Sequence, residues 1–75
     1  MNDLRRPLSE MEMLVLEFIH QNPNYTHEDI TEKFISEFFY EDFRDEIGSA
    51  VEYLVMSDYC NRNPITQAIT KRAVD

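Results

Sequence analysis

The stretch "YEDFRDEIGSAVEYLVMSDYC", residues 40–60, has the apolar spacing of an amphipathic helix. Its apolar residues recur at intervals of four, three, one, three and one, and they are Phe43, Ile47, Ala50, Val51, Leu54 and Val55. The opposite face carries five acids and one base when Glu46 at its edge is included. The other members of that face are Glu41, Asp42, Arg44, Asp45, Ser49 and Glu52. The stretch therefore predicts a helix with one apolar and one acidic face.

Length and composition predict one small folded domain. A chain of 75 residues lies near the lower limit for folding without disulfides or metals. Its 43% hydrophobic content, with five Phe and four Tyr residues, is sufficient for a core, and its single Gly and three Pro argue against disorder. We expect a flexible arm at residues 1–7 and one domain at residues 8–75.

Cysteine content and hydropathy predict a cytoplasmic protein. Cys60 is single, so it cannot form an internal disulfide. No apolar run approaches the roughly 18 residues of a membrane span. The N-terminus, "MNDLRRPLSE", lacks the apolar segment of a secretory signal. The prediction is a cytoplasmic chain that does not bind a membrane.

The charge of the chain is unevenly distributed. Its net charge is −8, and residues 8–58 alone hold thirteen acids against Lys33 and Arg44, whereas both ends are net positive. Proteins bind nucleic acid largely by neutralising phosphates with Lys and Arg, so an acidic centre repels the DNA backbone. This distribution favours a partner protein with a basic surface over nucleic acid.

Two helices precede the acidic one, and each is predicted from its N-terminal cap. Ser9 followed by Glu12 is a capping-box pattern, so the first helix is expected to begin near residue 10. Thr26 is a good N-cap for the second helix, with Tyr25 and Ile30 spaced as a hydrophobic staple. The first apolar face is Met11, Leu14, Val15, Phe18 and Ile19, and the second is Ile30, Phe34, Ile35 and Phe38.

Gly48 and several apolar residues outside these faces predict close contacts. Gly48 inside a helix costs about 1 kcal/mol relative to Ala, so we expect another backbone, such as that of the first helix, to approach it closely.

Met13 lies opposite the apolar face of the first helix. The aromatic-rich "FFYEDF", residues 38–43, has more rings than one short turn needs to bury, although most are expected in the core. Met13, Phe39 and Tyr40 are the predicted apolar contacts for a partner.

The C-terminal segment is compatible with two structures. The turn signal "NRNP", residues 61–64, and the β-branched residues that follow it favour a hairpin of the flanking "YCN" and "QAIT". Asn63 as N-cap and Pro64 as the first helical residue would instead begin a fourth helix. The hairpin is the leading prediction, and the short fourth helix is its alternative.

The order of these elements resembles a winged helix-turn-helix domain. "THEDITEKF", a turn, "EIGSAVEYLVMSDYC" and "ITKRAV" are similar to the helix-turn-helix core, the recognition helix and the closing wing strand of that family. The resemblance covers roughly residues 9–74 and implies a mainly α fold, with a three-helix core and a short C-terminal β-hairpin wing. In the family, the third helix usually enters the DNA major groove. This chain has Asp58 where the family has Gly after that helix, and Ala73 where the wing has Gly.

The resemblance and the charge together predict a regulatory protein that binds another protein. Winged helices often serve as protein-binding modules, and the acidic face of the third helix is complementary to a basic groove. Size and acidity favour an inhibitor or modulator of host transcription or defence machinery, of the kind that bacteriophages encode, as a monomer or homodimer. The alternative is a dimeric transcriptional regulator that binds DNA through its basic arm and wing. The bases of that arm and wing are Arg5, Arg6, Arg62, Lys71 and Arg72.

No residue pattern predicts an enzyme, a metal site or a cofactor. His20 and His27 are seven residues apart, with no Cys pair nearby to complete a zinc site. Cys60 has no evident base to activate it and is expected to be a buried strand residue. Calcium-loop and glycine-rich phosphate-loop patterns are absent from the sequence. We expect a chain that acts by binding alone.

Overall fold

Three helices and three short strands make up the computed structural model, which describes residues 7–72. In chain order they are α1 (Glu10–Gln21), β1 (Tyr25–Thr26), α2 (His27–Phe38), α3 (Arg44–Met56), β2 (Cys60–Arg62) and β3 (Ala68–Lys71). This order confirms the predicted mainly helical fold with a C-terminal β-hairpin, and it is compatible with a winged helix. The bases predicted for the arm, Arg5 and Arg6, lie outside the described residues, as does Ala73.

The capping box predicted for α1 is present. The Ser9 hydroxyl accepts a hydrogen bond from the Glu12 amide at 3.1 Å, and the Ser9 amide donates to Glu12 Oε1 at 2.8 Å. These reciprocal bonds satisfy amides that a helix start otherwise leaves without partners. Glu12 is only 6% exposed, because its carboxylate folds back onto this cap. The first helix therefore begins at Glu10, as the sequence predicts.

The second helix begins at its predicted cap and ends in a strained turn. The Thr26 hydroxyl accepts a hydrogen bond from the Asp29 amide at 3.2 Å. At the other end, Phe39 has a φ of 59°, and its amide donates to the Ile35 carbonyl at 2.7 Å. Left-handed backbone costs a residue with a Cβ atom roughly 1–2 kcal/mol, which is why glycine is the usual residue at such a helix end. The conformation of Phe39 is thus unfavourable for the fold.

The third helix is shorter than its apolar pattern indicates. A 3-10 turn, Glu41–Phe43, precedes it, and α3 itself begins at Arg44. Ile47, Val51 and Leu54 are fully buried, as the sequence predicts. Phe43, the first residue of the predicted apolar face, therefore belongs to the 3-10 turn and is 43% exposed.

Asp58 occupies a position that requires left-handed backbone. Its φ is 67°, in the turn that follows α3. Asp is one of the few residues with a side chain that adopts this conformation, although less readily than Gly. Asp58 therefore holds a left-handed turn conformation of the kind that Gly adopts freely.

The C-terminal hairpin forms in preference to the fourth helix. Strands β2 and β3 pair antiparallel. The connecting turn nevertheless contains one cap-like arrangement, since the Asn63 side chain accepts hydrogen bonds from the amides of Ile65 and Thr66 at 2.7 and 3.0 Å. The chain leaves the helical conformation at Gln67, which has a φ of 66°. It returns instead as β3, where Ile69 is fully buried.

Strand β1 has no counterpart in the sequence prediction. Tyr25 lies opposite Ile69 and Thr26 lies opposite Ala68, so β3 is the central strand in the order β1-β3-β2. Two residues are too few to show the alternating pattern of a strand. This strand therefore depends on its partner across the sheet, which is more than 40 residues away in the chain.

The helices and the sheet enclose one apolar core. Phe34 is the largest fully buried side chain of this core, and its ring lies edge-on to Phe18 at a centroid distance of 5.5 Å and tilted against Phe38 at 4.7 Å. The other buried apolar residues are Val15, Ile19, Ile30, Ile35, Ile47, Ala50, Val51, Leu54, Cys60 and Ile69. This packing holds α2 beside α3 and leaves a shared groove open to solvent.

Candidate functional site

A groove of about 730 Å³ lies between α2 and α3 and is named here the acidic groove. Its lining residues from α2 are His27, Glu28, Thr31 and Glu32. Those from α3 are Arg44, Asp45, Gly48, Ser49, Glu52, Tyr53 and Met56. The walls thus carry four carboxylates and one guanidinium, which makes the groove net negative.

Only part of the predicted acidic face lies in the acidic groove. Glu41 and Asp42 belong to the 3-10 turn before α3, and Glu46 lines a different depression beside α1. The predicted residues that line the acidic groove are Arg44, Asp45, Ser49 and Glu52. The structure therefore divides the predicted face between two surfaces.

Arg44 forms ion pairs with two acids, Glu32 of α2 and Glu41 of the 3-10 turn. Its Nε donates to Glu41 at 2.9 Å, its Nη2 donates to the same carboxylate at 3.1 Å, and its Nη1 contacts Glu32. The hydrogen bond to Glu32, followed by that to Glu41, raises the pKa of Arg44 above its ordinary value. The Arg44 hydrogen bond also lowers the pKa of the Glu41 carboxyl. A guanidinium with two carboxylate partners has few donors left for a phosphate or a guanine.

Glu52 connects the wing to both helices of the acidic groove. Arg62 Nη2 donates to Glu52 Oε2 at 2.7 Å, and His27 Nε2 lies 3.5 Å from the same oxygen. The His27 Nε2 atom is also 3.2 Å from the Gly48 carbonyl oxygen. The guanidinium of Arg62 is therefore directed at a carboxylate of α3.

The expectation for Gly48 is wrong. A Cβ atom added there would lie 3.6 Å from His27 Cε1 and 3.8 Å from His27 Nε2, which are ordinary van der Waals distances. Within the described residues, the close neighbour of Gly48 is thus a side chain of α2 and not the backbone of α1. The absence of a Cβ atom leaves room in the acidic groove beside the His27 ring.

The described bases of the wing are mostly paired with acids. Arg62 binds Glu52, and Arg72 Nη1 lies 3.6 Å from Asp58 Oδ1. Lys71 is exposed and has no ion-pair partner among residues 7–72. Two of the three wing bases named for DNA binding would therefore have to exchange a carboxylate for a phosphate.

The three predicted apolar contacts differ in exposure. Phe39 is 90% exposed and Met13 is 53% exposed, so both side chains are available to a partner. Tyr40 is half-buried, and its ring centroid lies 5.9 Å from that of Phe34. Tyr40 therefore packs against the core while it contributes one edge to the surface.

The site predicted from the sequence did not include the residues that α2 and the end of α3 contribute to the acidic groove. Glu28 and Glu32 are exposed acids one turn apart, a spacing that places them on one side of α2. Met56 is 79% exposed at the end of α3. The spacing of the two acids was a usable signal, but the groove they share with α3 depends on tertiary packing.

Residues 7–72 contain neither a membrane-spanning helix nor a cluster of side chains that could bind a metal ion. None of the helices within residues 7–72 is long and apolar enough to span a membrane. In the same range, no three His, Cys, Asp or Glu side chains are grouped so that they could hold a metal ion.

Comparisons with protein families, with curated proteins and with solved structures found no match to the chain. No relative therefore indicates a partner.

Proposed function

We propose that the chain is a small regulatory protein of the winged-helix type that binds a partner protein through the acidic groove. The pairing of its bases is the observation that carries this proposal. Arg44, Arg62 and Arg72 each have a carboxylate partner within the described residues, on the helix and wing that a winged helix would turn towards DNA. A surface in which bases are already neutralised and acids remain free favours a basic partner.

The lining of the acidic groove supports binding to a protein. Tyr53 is half-buried and Met56 is exposed, so the groove offers apolar area as well as charge. Glu28 and Asp45 are exposed and have no ion-pair partner among residues 7–72. Protein interfaces combine apolar contacts with a polar rim in this way, and Met adapts readily to a partner. Lys or Arg side chains of the partner would meet the two free carboxylates.

The charge of the acidic groove also favours a class of partner. Its carboxylates partly imitate the charge of nucleic acid phosphates, so a basic groove that ordinarily accepts nucleic acid is complementary to it. Proteins of host transcription or defence machinery have such grooves. The role that follows is a phage-type inhibitor or modulator that acts in the cytoplasm.

Fewer observations support the DNA-binding alternative than support binding to a protein. Lys71 is exposed and unpaired on the described part of the wing, and a dimer would present it twice. Each phosphate contact adds affinity through counterion release, so few free bases give weak and salt-sensitive binding. Loss of Arg62, Lys71 and Arg72 is therefore expected to harm this alternative function most.

Neutralising the acidic groove is expected to weaken capture of the protein partner at least about tenfold, which corresponds to about 1.4 kcal/mol. The variant is Glu28→Gln with Asp45→Asn, because both carboxylates line the groove and have no ion-pair partner within residues 7–72. The measurement is quantitative capture from nuclease-treated lysate of the source cells by the immobilised chain. Nuclease treatment removes any partner held through nucleic acid.

The matched control variant is Asp29→Asn with Glu37→Gln, which removes two exposed acids outside the acidic groove. It is expected to retain capture, and both variants should retain the circular dichroism of the folded chain. Equal capture by the groove variant and the wild type would reject the acidic groove as the binding site. Capture that disappears only after Arg62, Lys71 and Arg72 are changed to Gln would assign the protein-binding surface to the wing and not to the acidic groove.

A further inference from the structure

A second exposed apolar surface lies between α1 and the 3-10 turn. Leu14 and Phe43 are 44% and 43% exposed, and with Met11 and Tyr40 they line a depression of about 390 Å³. The Tyr40 ring connects this depression to Phe38, since its centroid lies 5.4 Å from that of Phe43 and 6.2 Å from that of Phe38. These five residues form one continuous surface, named here the aromatic patch.

The aromatic patch is separate from the acidic groove. The two depressions share no lining residue. Phe38 is 43% exposed, as Phe43 is, so two rings of the patch are only partly covered by the fold. Contiguous exposed apolar surface with a polar rim is typical of interaction sites.

Carboxylates form the rim of the aromatic patch. Glu10 and Glu46 line the depression, and Asp42 is adjacent to Phe43 in the chain. All three are exposed, and none has an ion-pair partner within residues 7–72. A two-fold contact with a second copy would bring the same carboxylates of both chains together, which like-charge repulsion opposes. An occupant with Lys or Arg beside an apolar stripe is complementary.

The surroundings of the depression favour a helix over an extended segment as its occupant. Its lining residues come from α1, the 3-10 turn and their flanks, and none comes from β1, β2 or β3. An extended segment would therefore find no strand edge for its backbone hydrogen bonds, whereas an α-helix makes these bonds internally. A volume of about 390 Å³ holds roughly two large apolar side chains. A helix presents two such side chains on one face at positions i and i+3 or i+4.

We infer that the aromatic patch binds a basic amphipathic helix of a partner protein. Two apolar side chains of that helix enter the depression between Leu14 and Phe43, and its flanking Lys or Arg side chains meet Glu10 and Glu46. The inference concerns a different surface from the acidic groove and does not rest on the function proposed for that groove.

The test uses a synthetic helical peptide of about 14 residues, with Leu at helical spacing and Lys at most other positions. It is titrated into the isotope-labelled chain while the amide resonances are recorded. The largest shifts are expected at Leu14, Tyr40 and Phe43. The substitution Leu14→Ser should weaken binding at least about tenfold. The control Ile65→Ser removes a side chain that is 88% exposed on the wing and should leave binding unchanged.

A second variant and a second peptide separate charge from apolar contact. Glu10→Gln with Glu46→Gln keeps every apolar residue of the aromatic patch and should weaken binding severalfold, with a smaller dependence on salt. A peptide with Gln in place of each Leu keeps the charge and should bind at least about tenfold more weakly. Equal binding of the two peptides, or shifts confined to the acidic groove, would overturn the inference. A dimer of the chain that Leu14→Ser abolishes would also overturn it, because a second copy would then occupy the patch.

Discussion

Replacing Phe34 with alanine is expected to leave much of the chain unfolded in water. Phe34 is fully buried, and its ring packs against Phe18 and Phe38. Removing a buried Phe ring costs about 3–5 kcal/mol. A chain of this length has a total free energy of unfolding of roughly 4–11 kcal/mol, and small domains tend towards the lower end. The substitution therefore removes most of the stability of the fold.

The measurement is urea unfolding followed by far-ultraviolet circular dichroism. Phe39→Ala is the matched control, because it removes the same atoms from a side chain that is 90% exposed. Ala also has a Cβ atom, so the left-handed strain at this position is retained, and the free energy of unfolding of this control should change by less than about 0.5 kcal/mol. A Phe34→Ala variant as stable as the control would contradict the burial of Phe34 in the core.

The Cys60 thiol of the native chain is expected to react with a thiol reagent at least about 100-fold more slowly than the same thiol in unfolded chain. Burial raises the pKa of Cys60 from an ordinary value of 9.0 to about 11, and the nearby Lys71 lowers it to a smaller extent. Only the thiolate reacts, so at about pH 8 this pKa difference alone reduces the reactive fraction about 100-fold. The thiol is also 1% exposed on β2, which excludes the reagent.

The reaction is followed with an aromatic disulfide reagent in buffer and in concentrated urea at the same pH. The ratio of the two rates gives the protection of Cys60 and needs no second variant as a reference. Rates that differ by less than about tenfold would contradict burial of Cys60 on β2.

The same pKa difference predicts how stability varies with pH. Because the folded chain holds the Cys60 proton more tightly than the unfolded chain, the folded state binds more protons between about pH 9 and about pH 11. The Cys60 contribution to the free energy of unfolding is therefore complete below about pH 9 and falls as the pH rises through this range. Urea midpoints for Cys60→Ser measured beside the wild type would show a smaller decrease in the variant.

Local sequence predicted α1 and α2 well because their starts depend on nearby residues. The reciprocal bonds of Ser9 and Glu12, and the cap at Thr26, need only residues three positions apart. The hairpin turn was harder to predict, since Asn63 caps its neighbours in the same way that it would cap a helix. The outcome is decided by burial of Ile69 in the sheet, which is a tertiary interaction.

The candidate site was only partly predictable from the sequence. The acids of α3 follow from the helical period, but their partners do not. Arg44 binds Glu32 from another helix, and Arg62 from the wing binds Glu52. Such pairs join residues ten or more positions apart, so no local pattern shows which charges are neutralised. The same reason explains why the neighbour of Gly48 is a side chain of α2.

We propose that α3, the helix that a winged helix turns towards DNA, lines a groove for a protein partner in this chain, and that α3 and the wing do not bind DNA. Titration of the purified chain against labelled mixed-sequence duplex DNA, at about 50 mM and about 150 mM salt, tests it most directly. No saturable binding is expected at either salt concentration, and DNA should leave the elution volume of the chain unchanged. Saturable binding at the lower concentration that weakens steeply at the higher one, and that is lost when Arg62, Lys71 and Arg72 are changed to Gln, would contradict it.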